Sequence, residues 1–163
     1  MAYVITENRL GQSHVGDVGE AASVPVGTIV TATDPTYGAG EFIYLKGVAS
    51  TGVGSWVTYN LDDGSTALLA ANAIGPVAVA MGASIASTWG WYQISGKAVG
   101  KALASFADNA NVYATATAGS VDDAVVSGDR VKNAKGASAV GTPSAGLAEF
   151  EIARPFADDA VAA

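Results

Sequence analysis

The sequence contains no cysteine and only one histidine in 163 residues, and both scarcities exclude classes of chemistry. Without cysteine there is no disulfide framework, no thiolate zinc site and no cysteine nucleophile. The one histidine, His14, follows Ser13 and precedes Asp17, but adjacent side chains of an extended chain point apart. Val15 also replaces the second glycine of the G-x-S-x-G elbow. We therefore expect no hydrolase triad.

Positive charge is the second scarcity. Eight basic residues stand against fifteen acidic ones, which gives a formal net charge of −7. Nucleic-acid binding depends largely on clustered Lys and Arg, so we expect no nucleic-acid partner. The basic residues are scattered, with one loose group at 130–135 preceded by Asp122, Asp123 and Asp129. We predict that this group is a solvated turn.

The remaining candidate motifs for enzymes, metals and nucleotides are incomplete. Glu149 and Glu151 share a strand parity that predicts a solvent-facing side beside inward Phe150 and Ile152, rather than a catalytic pair. The aspartates lack the order of a calcium-binding loop, and the glycines at 38–40 and 52–54 lack the third glycine of a dinucleotide motif. We expect no catalytic residue, no cofactor and no metal, and thus a protein that is not an enzyme.

An uncharged stretch at 64–96 is long enough to span a bilayer. It contains Gly75, Pro76 and Asn72, most of its apolar residues are alanine, and acidic Asp62 and Asp63 flank it. These features favour buried strands over a transmembrane helix. Glu7 and Arg9 interrupt the apolar core that a signal peptide would need, so secretion by a standard signal is not expected.

Short β-favouring runs alternate with turn signals from residue 25 onward. This pattern is typical of a sandwich or barrel. We predict an all-β fold, a single-domain sandwich or jelly-roll-like barrel, with an extended N-terminal arm at 1–24 and a β-rich domain at 25–163. The only helix that we predict covers residues 66–71 after a Ser65 cap, and a mobile loop is expected at 134–146. The predicted strands cover residues 27–33, 41–47, 55–60, 76–81, 87–95, 97–103, 111–117, 121–126 and 148–153.

The bulkiest strand is the run TWGWYQISG at 88–96. Its alternation places Trp89, Trp91 and Gln93 on one face, with Tyr92 and Ile94 on the other. Tryptophan and tyrosine serve equally as core or subunit-interface anchors and as stacking platforms for sugars. We favour the core or interface interpretation and keep the sugar site as the alternative.

The order of four segments carries a resemblance to a known family. GEFIYLKG at 40–47 is followed by WVTY at 56–59, PVAVAM at 76–81 and GWYQISG at 90–96. Over about residues 25 to 130 the chain resembles the head decoration, or cement, proteins of tailed bacteriophages. The resemblance implies a β-rich protein, often jelly-roll or β-tulip-like, that binds the outside of an icosahedral shell as a dimer or trimer and reinforces it after expansion. It implies no catalytic residue.

The resulting hypothesis is a virion decoration protein on the outer capsid surface, made in the host cytoplasm. Its expected partners are the major capsid protein and further copies of itself, with no membrane partner. The alternative, from another class, is a carbohydrate-binding β module of a phage tail or adhesin that uses Trp89 and Trp91 as stacking rings. The candidate interface residues lie in the arm and the aromatic strand: Tyr3, Ile5, Leu10, Val15, Trp89, Trp91 and Gln93.

Overall fold

A computed structural model describes residues 1–6 and 13–158, and in these residues the chain is all-β, with twelve strands and no helix. The predicted fold class is confirmed. Because no helix occurs in this part of the chain, none there is long and apolar enough to cross a membrane. The strands are β1 (Val4–Ile5), β2 (Val18–Gly19), β3 (Ile29–Asp34), β4 (Gly38–Lys46), β5 (Trp56–Tyr59), β6 (Thr66–Leu68), β7 (Gly75–Ala80), β8 (Trp89–Lys101), β9 (Asn111–Ala114), β10 (Val121–Asp122), β11 (Arg130–Gly136) and β12 (Leu147–Ala157).

The strands form one antiparallel sheet in the order β1-β3-β4-β8-β7-β12-β11-β9-β10. Beside this path β2 pairs with β8, and β5 joins β6 to β7. In the described residues the sheet is not closed into a barrel, which is consistent with an all-β sandwich rather than the barrel alternative.

The longest strand, β8, connects the two halves of the sheet. Its first half pairs with β4, with Tyr44 opposite Trp91, and its second half pairs with β12, with Phe150 opposite Ala98. The change of partner falls at Gly96, whose φ is +100° and where a Cβ would lie 2.5 Å from the Ala39 carbonyl oxygen. Only glycine combines that conformation with that approach. Our prediction of two strands separated at Gly96 was wrong, because the glycine bends the strand without ending it.

Three apolar clusters stabilise the sheet. The arm-side cluster lies on one face of β3, β4 and β8 and contains Phe42, Tyr44 and Trp91. The opposite-face cluster contains Ile43, Tyr92 and other residues of the opposite parity. The C-terminal cluster is built around Trp56, Phe106 and Phe150, with ring centroids 4.9 Å and 5.1 Å apart for the two contacts of Phe150. Both faces of the central strands are therefore buried.

The predicted helix at 66–71 is wrong, because residues 66–68 form β6, the second strand of a hairpin with β5. The Asp63 carboxylate accepts hydrogen bonds from both the amide and the hydroxyl of Ser65, so Ser65 closes a turn instead of capping a helix. A six-residue helix has too few hydrogen bonds to offset its nucleation cost, and the ladder to Val57 and Tyr59 supplies them instead.

The basic group at 130–135 was also predicted wrongly, since it lies in β11 and not in a solvated turn. Val131 and Ala134 point into the C-terminal cluster, while Lys132 and Lys135 are exposed. The loop expected at 134–146 begins only after Gly136, and β10 covers two residues of the strand expected at 121–126. The signal for this strand was the occurrence of small apolar residues, Val131 and Ala134, between exposed lysines.

The described part of the N-terminal arm folds back onto its own sheet. β1 pairs with β3, with Val4 opposite Thr33, and β2 pairs with β8, with Val18 opposite Gly90. Tyr3 and Val15 enter the arm-side cluster. The arm thus covers the aromatic face of β4 and β8 in the monomer.

Candidate functional site

The aromatic strand is an interior element of the protein. Trp91 is 1% exposed, and its ring lies 4.9 Å from that of Tyr44. Its indole Nε1 donates a hydrogen bond of 3.1 Å to the Ser13 hydroxyl of the arm. Trp89 is half-buried at the edge of the same cluster. The two rings therefore do not form the open stacking platform that a sugar site would use.

The structure brings most of the candidate interface residues together, but inside the monomer. Tyr3, Val15, Trp91 and Gln93 are buried, and Ile5 is half-buried like Trp89. Leu10 lies outside the described residues. While the arm lies on this face, the four buried side chains are not accessible to another subunit.

Gln93 is the polar centre beneath the arm. Its Nε2 donates to the carbonyl oxygens of Ser95 and Lys97, and the Tyr3 hydroxyl donates to the same Lys97 carbonyl over 3.0 Å. Burial raises the pKa of Tyr3 to about 12, so its hydroxyl keeps its proton at neutral pH. The Tyr3 hydroxyl thus fixes the arm to β8 by a group that stays uncharged near pH 7.

Asp34 holds the start of the arm. Its carboxylate accepts hydrogen bonds from the backbone amides of Ala2, Thr36 and Tyr37, at 2.5, 2.7 and 2.9 Å. Burial acts to raise the pKa of Asp34, but the hydrogen bonds from Tyr37, Thr36 and Ala2 outweigh it and hold the pKa below its usual value. The ionised carboxylate is therefore the form that retains the arm.

The strand parity predicted for the glutamates is confirmed, and it leads to ion pairs. Phe150 and Ile152 are buried, whereas the Glu149 carboxylate lies 2.7 Å from the Lys97 ammonium and that of Glu151 lies 3.3 Å from Lys135. Each carboxylate has a cationic partner on the next strand. The pair is thus accounted for by ordinary cross-strand charge pairing.

His14 is exposed, and its ring Nδ1 accepts a hydrogen bond from the Gly16 amide over 3.2 Å. The hydroxyl of Ser13 is engaged with Trp91. Within the described ranges no group of three or more His, Cys, Asp or Glu side chains is placed to hold a metal ion. The geometry gives His14 a role in the turn that leads to β2.

Four of the ten large apolar side chains that are exposed in the described residues lie near the β5–β6 hairpin. Leu61 and Ile74, 74% and 69% exposed, line one open groove of about 510 Å³ together with Tyr59 and Pro76. Phe156 lies opposite Pro76 in the β7–β12 ladder and is 42% exposed. Val26 lies in an adjoining groove that shares Leu61. We name Val26, Leu61, Ile74 and Phe156 the apolar patch.

The sequence contains a signal for this patch in the placement of two large aliphatic residues. Leu61 lies in the turn Asn60-Leu61-Asp62-Asp63, and Ile74 comes just before Gly75-Pro76. A large aliphatic residue inside a turn has no strand parity that would bury it.

Burial raises the pKa of Tyr59, which lines the same groove, and the charge of Arg154 acts in the opposite direction.

Comparison with known proteins adds no relative. No family model, curated protein or solved structure matches the chain.

Proposed function

We propose that this protein is a structural virion protein that binds the outer surface of a bacteriophage capsid and stabilises it by bridging neighbouring capsid subunits. The observation that carries the proposal is the apolar patch. Large aliphatic side chains that are mostly exposed around one groove are typical of protein interaction sites. The resemblance of residues 25 to 130 to decoration proteins supplies the partner, the major capsid protein.

The form of the patch supports a protein partner. Thr58 and Thr66 of the β5–β6 hairpin line the same groove as Leu61 and Ile74 and add hydrogen-bonding groups to it. An apolar surface mixed with hydrogen-bonding groups is the usual composition of a protein–protein interface. Asp62 and Asp63 lie at one end, in the adjoining groove, and would favour a partner with basic residues there.

To test the proposal, the purified protein is mixed with expanded tailed-phage shells that lack decoration protein. Binding is measured by co-sedimentation, and shell stability by heating. We expect saturable binding and a higher temperature of shell disruption. If the protein neither binds the shells nor changes their resistance to heat, the proposed function is wrong.

A matched pair of variants tests the patch itself. Ile74→Glu places a charge in the patch, whereas Ile85→Glu places the same charge at an equally exposed isoleucine outside it. We expect Ile74→Glu to weaken binding by about tenfold or more, as expected for a charge forced against an apolar contact, and Ile85→Glu to bind like the wild type. Equal binding by both variants would remove the patch from the interface.

The carbohydrate-binding module is retained only as an outcome to be measured. Saturable binding on a glycan array, lost in Trp89→Ala, would support it. The burial of Trp91 is the observation against a two-ring platform.

A further inference from the structure

A second groove lies between the end of β9 and the loop from β10 to β11. Its volume is about 330 Å³, and its walls are mainly aliphatic. Two carboxylates, those of Asp122 and Asp129, also line it. The apolar side chains that line it are Ala71, Leu103, Ala114, Ala116, Ala124 and Val126.

Backbone hydrogen bonds from several elements fix this groove in place. The Ala114 amide donates to the Asp129 carbonyl, the Leu103 amide to the Val121 carbonyl, and the Ala71 amide to the Thr115 carbonyl. The Asp129 amide itself donates to the carbonyl of Val126. The walls are thus built by chain segments far apart in sequence.

Asp129 is a charged side chain that is only 5% exposed, and within the described residues it accepts one hydrogen bond where the similarly buried Asp34 accepts three. The Oδ1 of Asp129 accepts a hydrogen bond of 2.5 Å from the Asn72 amide, and its Oδ2 accepts none from the described residues. A buried carboxylate normally has a cationic partner or several hydrogen-bond donors, since desolvation otherwise penalises its charge.

No cationic partner comes from the described part of this chain. Its four ion pairs are Lys97–Glu149, Lys132–Asp158, Lys135–Glu151 and Arg154–Glu41, so neither Asp122 nor Asp129 takes part in one. The neighbouring Arg130 donates to the Asn111 side chain over 2.8 Å, and its guanidinium lies 5.5 Å from the Tyr113 ring centroid. Its charge is directed to other groups.

We propose that this groove binds the side chain of a lysine residue of a partner protein. The aliphatic walls fit the four-carbon stem, and the ammonium pairs with Asp129, with Asp122 as the second carboxylate. A lysine buries its stem on apolar surface while its charge is satisfied at the tip. Calcium fits poorly, because it takes six to eight oxygen ligands and these walls are mostly carbon. The site is independent of the capsid proposal, because it is tested on the isolated protein.

In the experiment, n-butylamine is added stepwise to the protein at pH 7 and constant ionic strength. This probe has the four-carbon chain and the ammonium group of a lysine side chain. Amide shifts in two-dimensional NMR spectra report binding at the groove. We expect saturable shifts centred on Ala114 and Val126, with a dissociation constant on the order of 1–10 mM for so small a ligand. The uncharged n-butanol should bind about tenfold more weakly.

Variants locate the charge that is recognised. Asp129→Asn keeps an oxygen that can accept the Asn72 hydrogen bond and should weaken n-butylamine binding about tenfold. Asp108→Asn makes the same charge change at an exposed site and should leave it unchanged. If Asp129→Asn does not fold, Asp122→Asn provides the same test at a half-buried position, with a smaller expected loss.

Three results would overturn the proposal. The first is the absence of groove-centred shifts with n-butylamine, and the second is equal binding of n-butanol. The third is binding of n-butylamine without binding of Nα-acetyl-lysine N-methylamide, which would assign the groove to a free amine rather than to a protein lysine. None of these results bears on whether the protein binds shells.

Discussion

The arm-side cluster and the apolar patch are opposites in composition and exposure. The cluster contains the aromatic rings of Tyr3, Tyr44 and Trp91, which are almost fully buried where the arm packs against β4 and β8. The patch consists mainly of aliphatic side chains in turns and at strand ends, and these stay exposed. In this protein the largest rings therefore build the fold, and smaller apolar residues in turns remain exposed.

The largest expected effect is a loss of stability when a buried ring of the arm-side cluster is removed. Trp91→Ala should lower the free energy of unfolding by roughly 3–5 kcal/mol, because it removes a buried ring and leaves a cavity. Trp89→Ala, at a half-buried position on the same face, should cost clearly less. Denaturant unfolding measures both. Equal losses would show that burial does not distinguish the two tryptophans in solution.

The next largest effect is expected from removing one tyrosine hydroxyl in the arm-side cluster, compared with one in the groove of the apolar patch. Tyr3→Phe removes the donor to the Lys97 carbonyl and should destabilise the protein by about 1–2 kcal/mol. Tyr59 lies in the patch groove, and its hydroxyl has no hydrogen-bond partner among the described residues, so Tyr59→Phe should change stability by less than about 0.5 kcal/mol. A loss in Tyr59→Phe as large as in Tyr3→Phe would contradict the comparison.

The Asp34 carboxylate predicts a pH dependence confined to the arm side. Its pKa is lower in the folded protein than in the unfolded chain, so its contribution is complete above the unfolded value of about 3.9 and is lost as the pH falls through the folded value. Asp34→Asn should therefore reduce the loss of stability on acidification. The measurement is urea unfolding at a series of pH values below about 5.

Asp108→Asn, at an exposed aspartate, serves as the control for this prediction. If both variants lose stability with pH as the wild type does, Asp34 does not hold the arm by its charge.

The smallest expected effect is on the patch. Ile74→Ser should change the free energy of unfolding by less than about 0.5 kcal/mol, because the side chain is already mostly in water. The same variant should bind shells more weakly than the wild type. A large loss of stability would place Ile74 in the core and remove it from the proposed contact surface.

Strand alternation predicted the fold class and the two faces of β8, because successive side chains of a strand point to opposite faces of the sheet. The same reasoning failed where local and distant preferences compete. At 66–71 the alanines favour a helix, but pairing with β5 decides the conformation. Glycine at position 96 indicates the end of a strand in the sequence. Only the close contact between Gly96 and the Ala39 carbonyl in the folded protein shows that the strand bends there and continues.

The site was harder to predict than the fold. Tyr3 and Val15 were assigned to an interface because an arm without periodicity gives no indication of what it contacts. Their burial depends on pairing between residues far apart in sequence, such as Val4 with Thr33 and Val18 with Gly90. The groove at Asp129 depends likewise on the contact between that carboxylate and the Asn72 amide, which no local pattern encodes.

The pairing of β12 has a consequence for synthesis on the ribosome. β12 is bonded to β7, β8 and β11, and it contributes Phe150 to the C-terminal cluster. Until residues 147–157 have emerged, the second half of β8 lacks its neighbour and Trp56 lacks the ring against which it lies. Before β12 is available, the nascent chain therefore exposes an open strand edge and apolar surface. We expect it to be most prone to aggregation during this interval.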